Sequence, residues 1–490
     1  MKKAIVIGSG FAGMSAASFM AQSGWEVTVL EKHDMPGGRG RLYQQDGFTF
    51  DMGPSWYWMP DVFERYFNCF GKKVADYYQL QRLDPSYRIY YNDGPVDIPA
   101  DYDALRKLFE SIEPGSAVQL DRFLEEAKYK YEVGINKLVH KPGQSLAEFM
   151  DADLVKGLLK LDVFTSMKKH VRKFFKNTRL IQLMEFPVLF LGALPADIPA
   201  LYSLMNYADI KLGTWYPQGG MHEIPKAMHR LAVELGVKFE FGCNVDQIEV
   251  TGRQAKRVRA GERTFEADVV IGGADYHFIE TQLLEKAHRS YSDNYWEKRV
   301  MAPSCLLYYI GLSKRLNNVT HHSLFFDVDF EKHGDEIYEH PQWPSTPLFY
   351  VSIPSVTDAT VAPPGGENLF FLIPVAAGLE GDDEERREQY FRKIVKRFEE
   401  QTGNTITDAI VHQRTYSVSD FKKDYNAFKG NAYGLANTLM QTSILKPSLK
   451  SKKLNNLFYT GQLTVPGPGV PPSLISGEVV AKEINKTFKP

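Results

Sequence analysis

The sequence predicts an α/β fold in which a Rossmann-like dinucleotide-binding domain is interleaved with a second domain of mixed sheet and helices. Three observations predict it. Near the N-terminus an apolar strand pattern runs straight into three spaced glycines and a helix. A second strand ending in an acidic residue follows at once. A segment dense in glycine and proline, preceded by a strand-like run, lies close to the C-terminus.

Ala4–Ile7 reads as a buried parallel strand, and Gly8-x-Gly10-x-x-Gly13 follows it. The succeeding helical pattern ends at Gly24, a C-cap. Gly8 makes the tight turn, Gly10 admits a pyrophosphate to the backbone, and Gly13 lets helix and strand pack closely. Phosphate charge then sits at the positive end of the helix. Phe11 and Ala12 belong to the same cradle. The second strand, "EVTVL", ends at Glu31 and Lys32, close to the roughly 20-residue interval at which an acidic side chain meets a ribose diol. Gly37-Gly38-Arg39 comes next, then a short alternating strand, "GFTF", and a Gly53-Pro54 turn. Two glycines and an arginine just past the ribose site suit a longer cofactor. Gly38 admits it to the backbone and Arg39 pairs with phosphate; a solvated surface turn is the alternative.

The chain's 490 residues exceed what one core usually serves, so two or more domains are expected. A net charge of −2 leaves no footprint for nucleic acid. Three widely spaced cysteines form no disulfide framework or zinc knuckle. Aromatics make up 13% of residues, which suits large apolar cavities or simply a rigid core. The N-terminal apolar run is broken by glycines and does not read as a signal peptide. No stretch reaches the roughly 20 apolar residues that span a bilayer. A cytoplasmic protein with peripheral membrane contact is expected.

Past residue 100 the pattern is helical. Asp153–Asn177 reads as one basic amphipathic helix, with Leu161, Met167, Val171, Phe174 and Phe175 on one face and Lys168, Lys169, Arg172 and Lys173 among the rest. It is a candidate for membrane-surface contact, as is the apolar "FPVLFLGAL" at Phe186–Leu194. A Pro-x-Gly-Gly-Met turn at Pro217–Met221 precedes a further helix. The segments "VKFEFGCNVDQIEV", "AKRVRA" and "RTFEADVVIGGAD" then alternate like strands that return to the first sheet, with Val245 on the adenine side. From Tyr291 to Gly430 the pattern is mixed, with one clear helix in "DDEERREQYFRKIVKRFEEQTG".

Familiar catalytic constellations are absent. There is no Gly-x-Ser-x-Gly elbow, no HExxH and no Cys-x-x-Cys, and no metal site is expected. His321 and His322 are adjacent, so on a strand they face opposite sides and chelate poorly; loop or surface positions are expected for them. The chemistry is most economically a cofactor's own.

Taken together, "AIVIGSGFAGMSAA", "VTVLEKHDMPGGRGRLYQQDGFTFDMGPSW" and "NLFYTGQLTVPGPGVPPSLISGEVVAKEI" resemble the bacterial phytoene desaturase-type carotenoid desaturases, with support from "PQGGMHEIPKAM" and "NVDQIEV…ADVVIGGAD". The resemblance implies FAD and a Rossmann-like FAD-binding domain of glutathione-reductase type. That domain would comprise residues 1–85, 210–290 and 440–490. The mixed-sheet plus helical substrate domain, which also meets the membrane, would comprise residues 86–209 and 291–439. By the same resemblance Gly8, Gly10, Gly13 and Glu31 hold the ADP half, Gly38 and Arg39 serve the diphosphate, and Val245 contacts adenine. Gly53, Pro54 and Ser55 lie near the flavin, and Gly461, Gln462, Gly469 and Val470 close over it. Trp56, Trp58 and Val465 depart from the common pattern where flavin and substrate meet, and are the substrate candidates.

The implied reaction removes hydride from an allylic carbon of a linear C40 polyene to flavin N5, with a proton leaving afterwards to a weak base or water. The catalytic residue is unassigned. The substrate would come from the membrane, and oxygen or a quinone would accept the electrons. Alternatives in the same family are a hydroxylated-carotenoid 3,4-desaturase and a carotenoid isomerase or saturase. Outside it stand an amine or porphyrinogen oxidase and a non-redox prenyl-binding escort protein.

Overall fold

The structure is a computed structural model; it describes residues 1–145, 148, 161–192 and 194–490, apart from the side chains at 190 and 439. The first sheet is five-stranded and wholly parallel, in the spatial order Leu457–Tyr459, Val269–Gly272, Lys3–Ile7, Glu26–Leu30, Lys238–Glu240. Its strands are apolar on both faces because helices cover both. Ala4, Val6, Val29, Val269 and Ile271 are all fully buried. The strand "NLFY" thus joins the dinucleotide-binding sheet, as its sequence pattern predicts.

The helix Phe11–Gln22 follows the first strand, and Gly24 (φ 92°) supplies the left-handed residue after its end. The C-terminal helix Val470–Thr487 carries Pro471 and Pro472 in its first turn, where a missing N–H costs nothing. The two helices pack so closely that a Cβ on Gly477 would lie 2.5 Å from the Ala16 nitrogen and 2.6 Å from the Ala12 oxygen. A second sheet of seven strands has the order Ile410–Tyr416, Ser304–Leu312, Glu367–Val375, Phe349–Ser352, His322–Phe325, Tyr87–Tyr91, Gly94–Ile98. It is antiparallel except where His322–Phe325 runs parallel to Tyr87–Tyr91. A small antiparallel meander, Gln247–Thr251, Gln254–Ala260 and Arg263–Glu266, precedes the return strand Val269–Gly272.

Two expectations fail in the helical region. Residues 153–160 lie outside the described residues; the remainder of Asp153–Asn177 is not one helix. Only Met167–Val171 is α-helical, and the next helix is Thr178–Glu185. Ser166 and Asn177 are the N-caps: the Ser166 side chain accepts from the Lys169 N–H and the Asn177 side chain from the Arg179 N–H. Capping residues inside a periodic stretch start new helices rather than continue one. The presumed basic face is also partly neutralised, Lys168 pairing with Glu331 and Arg172 with Glu185. Phe186, Val188 and Leu191 of "FPVLFLGAL" are buried in the core, so these side chains contribute to no surface patch. No helix among the described residues is long and apolar enough to cross a membrane.

The Gly477 contact yields a test. Gly477→Ala forces a methyl against two backbone atoms of the first helix and is expected to cost about 1–3 kcal/mol. Thermal unfolding checks this, and an unchanged melting temperature would show that the two helices have room to separate.

Candidate functional site

The glycine turn is built as its spacing predicts. Gly8 has φ 99°, and its N–H donates to the Leu30 carbonyl at 2.8 Å. A Cβ on Gly13 would lie 2.1 Å from the Gly8 oxygen, so this position serves packing. Gly10 differs: a Cβ there would meet open space. It starts the helix Phe11–Gln22 with no side-chain cap, which leaves the first N–H groups free for an anion. Phe11 and Ala12 are buried in that first turn.

Glu31 is buried and its carboxylate is held in place. It accepts from the Ser9 N–H and hydroxyl at 2.8 Å each, and from the His33 N–H at 2.9 Å. Lys32 points elsewhere, donating to the Lys423 carbonyl at 3.0 Å. Val245 is buried with Ile5, Ile7, Leu30 and Cys243 behind the acidic residue's strand. The diglycine lies on the glycine turn: the Gly37 N–H donates to the Ser9 carbonyl at 2.9 Å, and a Cβ on Gly38 would sit 3.1 Å from the Gly10 Cα.

Arg39 reaches under this turn toward the tail. Its Nη2 donates to the Asn431 carbonyl at 3.2 Å, while its buried Nε has no partner. Burial lowers its pKa, and the nearby Asp275 carboxylate works against that. With its amide carbonyl turned toward Arg39, Gln462 accepts from Nη2 at 2.9 Å and Nη1 at 3.2 Å. Gly53 packs on the Arg39 backbone, where a Cβ would be 2.4 Å from the Arg39 oxygen. Pro54 and Ser55 follow, and Ser55 lines a small cavity with Asp51, Tyr216 and His321. Gly461 (φ 108°) comes within reach of Ala12, a Cβ there lying 3.7 Å from the Ala12 Cβ. Gly469 (φ 110°) and Val470 open the C-terminal helix, again without a side-chain cap.

The structure therefore brings together the first glycine turn, the diglycine, Arg39, Gly53, Gly461 and Gln462. The open face at Gly10, the uncapped helix start and the orphaned Arg39 Nε are what a diphosphate would satisfy, so the residues present fit FAD. Sequence reasoning missed Asp275 and Asn431, which flank Arg39, and Ser9, which orients Glu31. The Gly-Gly-Ala-Asp run after the return strand was the available signal for Asp275.

Beyond Ser55 lies an aromatic nest. Trp56 stacks on His322 with ring centroids 4.2 Å apart and planes at 12°, and Trp58, Tyr87 and Tyr350 stand 5.1, 5.4 and 5.5 Å away. His321 and His322 are buried, not at the surface, because the strand His322–Phe325 is central in the second sheet. The Tyr350 hydroxyl and His322 Nδ1 are 2.6 Å apart, and burial pushes His321 down to about 3 and His322 well below the usual imidazole range. Behind Trp58, its Nε1 donates to Thr214 Oγ1 at 2.8 Å. Thr214 and Tyr87 in turn donate to Asp209, whose carboxyl burial pushes up to about 7. Val465 is buried beside Gly143, a Cβ there lying 3.1 Å from its Cγ1. Elsewhere Glu126, Asp162 and His170 converge, but Lys130 Nζ sits among them, 2.9 Å from Asp162 and 3.3 Å from His170.

The model of the flavin containing amine oxidoreductase family matches residues 11–485. A carotenoid 3,4-desaturase from Haloarcula japonica is 41% identical over 98% of this chain and 97% of its own. A zeta-carotene-forming phytoene desaturase from Myxococcus xanthus is 31% identical over 99% of this chain and 94% of its own. Among solved structures, an oxidoreductase from Methanosarcina mazei shares the fold at a TM-score of 0.64 and 15% identity, covering 98% of this chain and 100% of that one. A whole-length match to the flavoprotein model and to desaturases of this length places the glycine turn in context: the chain belongs to the flavin containing amine oxidoreductase family, among its carotenoid desaturases.

Proposed function

We propose that this protein is an FAD-dependent desaturase of a linear carotenoid polyene, of the phytoene desaturase type. The observation that carries the reading is 41% identity over 98% of the chain to a carotenoid 3,4-desaturase. The same figure, against 31% for the phytoene desaturase, favours a second reading: 3,4-desaturation near the end of a more elaborated polyene.

FAD supplies the hydride acceptor when bound. The chain's own contribution is holding, orienting and drying. Gly8 and Gly10 receive the diphosphate at the helix start that the close packing at Gly13 positions, Arg39 pairs with it through the orphaned Nε, and Glu31 accepts from the ribose diol. Phe11, Ala12, Gly38 and Val245 border the ADP half, while Lys32 is directed away from it to the Lys423 carbonyl; Gly53, Pro54, Ser55, Gly461, Gln462, Gly469 and Val470 border the flavin. Trp56 and Trp58, inclined at 59° to each other, offer the polyene an aromatic corner. A dry cavity protects a conjugated cation from water until a proton leaves. Positioning is the larger share of the rate. The reaction needs an outside oxidant, oxygen or a quinone.

The polyene would be drawn from a bilayer by peripheral contact. With the "FPVLFLGAL" segment buried, the exposed apolar side chains that support contact are Phe164 (89% exposed), Met440 (74%) and Leu445.

Three outcomes are expected. Glu31→Ala should weaken FAD binding about 10- to 100-fold, the worth of charge-assisted hydrogen bonds of about 1.5–3 kcal/mol. Flavin absorbance after dialysis reads it, and full retention of FAD would remove Glu31 from the ribose site. The FAD-loaded enzyme, given phytoene or its desaturated successors in liposomes, should yield products with longer conjugation by chromatography. Parallel runs in air and under argon with a quinone identify the oxidant, and no product from any polyene would overturn the reading. Phe164→Ser with Met440→Ser should lower co-sedimentation with liposomes severalfold, and unchanged co-sedimentation would exclude these residues from the contact.

A further inference from the structure

Asp209 is a carboxylic acid only 3% exposed, and the chemistry described so far leaves it without a task. Its Oδ2 accepts from the Tyr87 hydroxyl at 2.7 Å and its Oδ1 from the Thr214 hydroxyl at 3.2 Å. The Thr214 hydroxyl itself accepts from Trp58 Nε1 at 2.8 Å. The local backbone makes this meeting possible. Asp209 lies in the π-helical turn Ala208–Leu212, and the Gly213 N–H closes it by donating to the Asp209 carbonyl at 3.0 Å. Gly213 has φ 87°, which turns the chain so that Thr214 returns to the Asp209 side chain.

Two rings of the aromatic nest are therefore tied by their polar edges to one carboxyl. Trp58 and Tyr87 both flank Trp56, at ring separations of 5.1 and 5.4 Å. They come from unrelated parts of the fold: Trp58 precedes the helix Pro60–Asn68, and Tyr87 opens a strand of the seven-stranded sheet. Asp209 is the common point at which these two elements are held. No charged side chain bonds to it among the described residues. The titratable group facing it is Tyr87, and Lys211, two residues on, turns instead to the Tyr102 ring, 2.9 Å from the centroid.

Counting donors shows which form of the acid completes the tether. As a carboxylate, Asp209 accepts from both hydroxyls, and Thr214 accepts from the indole, so every donor of the chain has an acceptor. A proton on Asp209 adds a donor and removes an acceptor. Its O–H must then point at one of the two hydroxyls, and that hydroxyl loses the acceptor for its own hydrogen. A buried donor left unpaired is costly, so the ring on that branch shifts. Burial opposes the carboxylate and pushes Asp209 up to about 7, so the two forms exchange near neutral pH.

We propose that Asp209 is a positioning residue of the polyene site: as a carboxylate it fixes the edges of Trp58 and Tyr87 beside Trp56, and on taking up a proton it loosens that corner. The inference rests on the desaturase reading, and assigns Asp209 to the aromatic corner that reading gives the polyene.

Two measurements test it, both on FAD-loaded enzyme. Without substrate, the near-ultraviolet circular dichroism of the wild type should titrate with a midpoint of about 7. Asp209→Asn, whose amide also brings donors where an acceptor is needed, should abolish that titration. With a linear polyene in liposomes at a pH about one unit above the midpoint, Asp209→Asn should raise KM about tenfold and leave kcat nearly unchanged, as expected for lost binding shared by ground and transition states. In the wild type, KM should rise as pH falls through the same midpoint. Thr214→Val, which cuts the Trp58 branch alone, should raise KM severalfold, and Thr214→Ser should restore it; this pair is read if Asp209→Asn fails to fold. A wild-type KM in the folded variants, or a dichroism titration that survives in Asp209→Asn, overturns the proposal while the desaturase reading stands. If the wild type converts no polyene, the desaturase reading falls and this inference falls with it.

Discussion

The structure depends on a contact that has no room for a side-chain carbon. Gly477 on the C-terminal helix meets the backbone of the first helix at Ala12 and Ala16. The seam is reinforced along its length: the Ser15 hydroxyl donates to the Leu474 carbonyl at 2.7 Å, and Trp25 Nε1 to Asn485 Oδ1 at 2.9 Å. Arg65 holds Glu478, the next residue, at 2.7 Å. With the helix fixed, the tail strand Leu457–Tyr459 lies beside Val269–Gly272 and the loop between strand and helix comes to the first glycine turn. The proposed FAD site is thus assembled from both ends of the chain, and close packing at one glycine sets the distance between them. A tail that looks like a loose string of breakers is a clamp.

Much of this was legible in the sequence because backbone needs are local. Gly8, Gly10 and Gly13 are demanded by a turn, an approach and a packing contact within six residues of one another, and the apolar strand before them and the helical run after them identify them. Pro471 and Pro472 announce a helix start in the same way. What resisted reading was set by tertiary neighbours. The apolar repeat of Asp153–Asn177 reports burial, but burial of short helices and turns gives the same spacing as one long helix; Ser166 and Asn177 were the local clue against it. His321 and His322 read as surface residues because nothing within their own segment shows that Phe349–Ser352 and Tyr87–Tyr91 flank them. Asp275 and Asn431 meet at Arg39 only because the turn after the return strand is held against the segment at Phe428, whose N–H donates to Asp275.

The two halves of the site handle charge in opposite ways. At the proposed diphosphate end, backbone N–H groups and a guanidinium lie about the open face at Gly10, the means by which proteins hold a strongly charged anion, and the Glu31 carboxylate is set apart for the ribose diol. Around the aromatic nest, burial works against ionisation at every titratable group whose shift is resolved. His321 and His322 are held neutral, and the Asp209 carboxyl is lifted to about 7 despite hydrogen bonds from Tyr87 and Thr214. A hydrocarbon gains nothing from fixed ions, and any ion left there would have to be stripped of water without a partner. Neutral polar groups can still orient an indole, as Tyr350 and His322 do behind Trp56. The family fold fixes where FAD lies. With His321 and His322 held neutral, the stacked face of Trp56 has no fixed cation against it, the condition an apolar substrate needs.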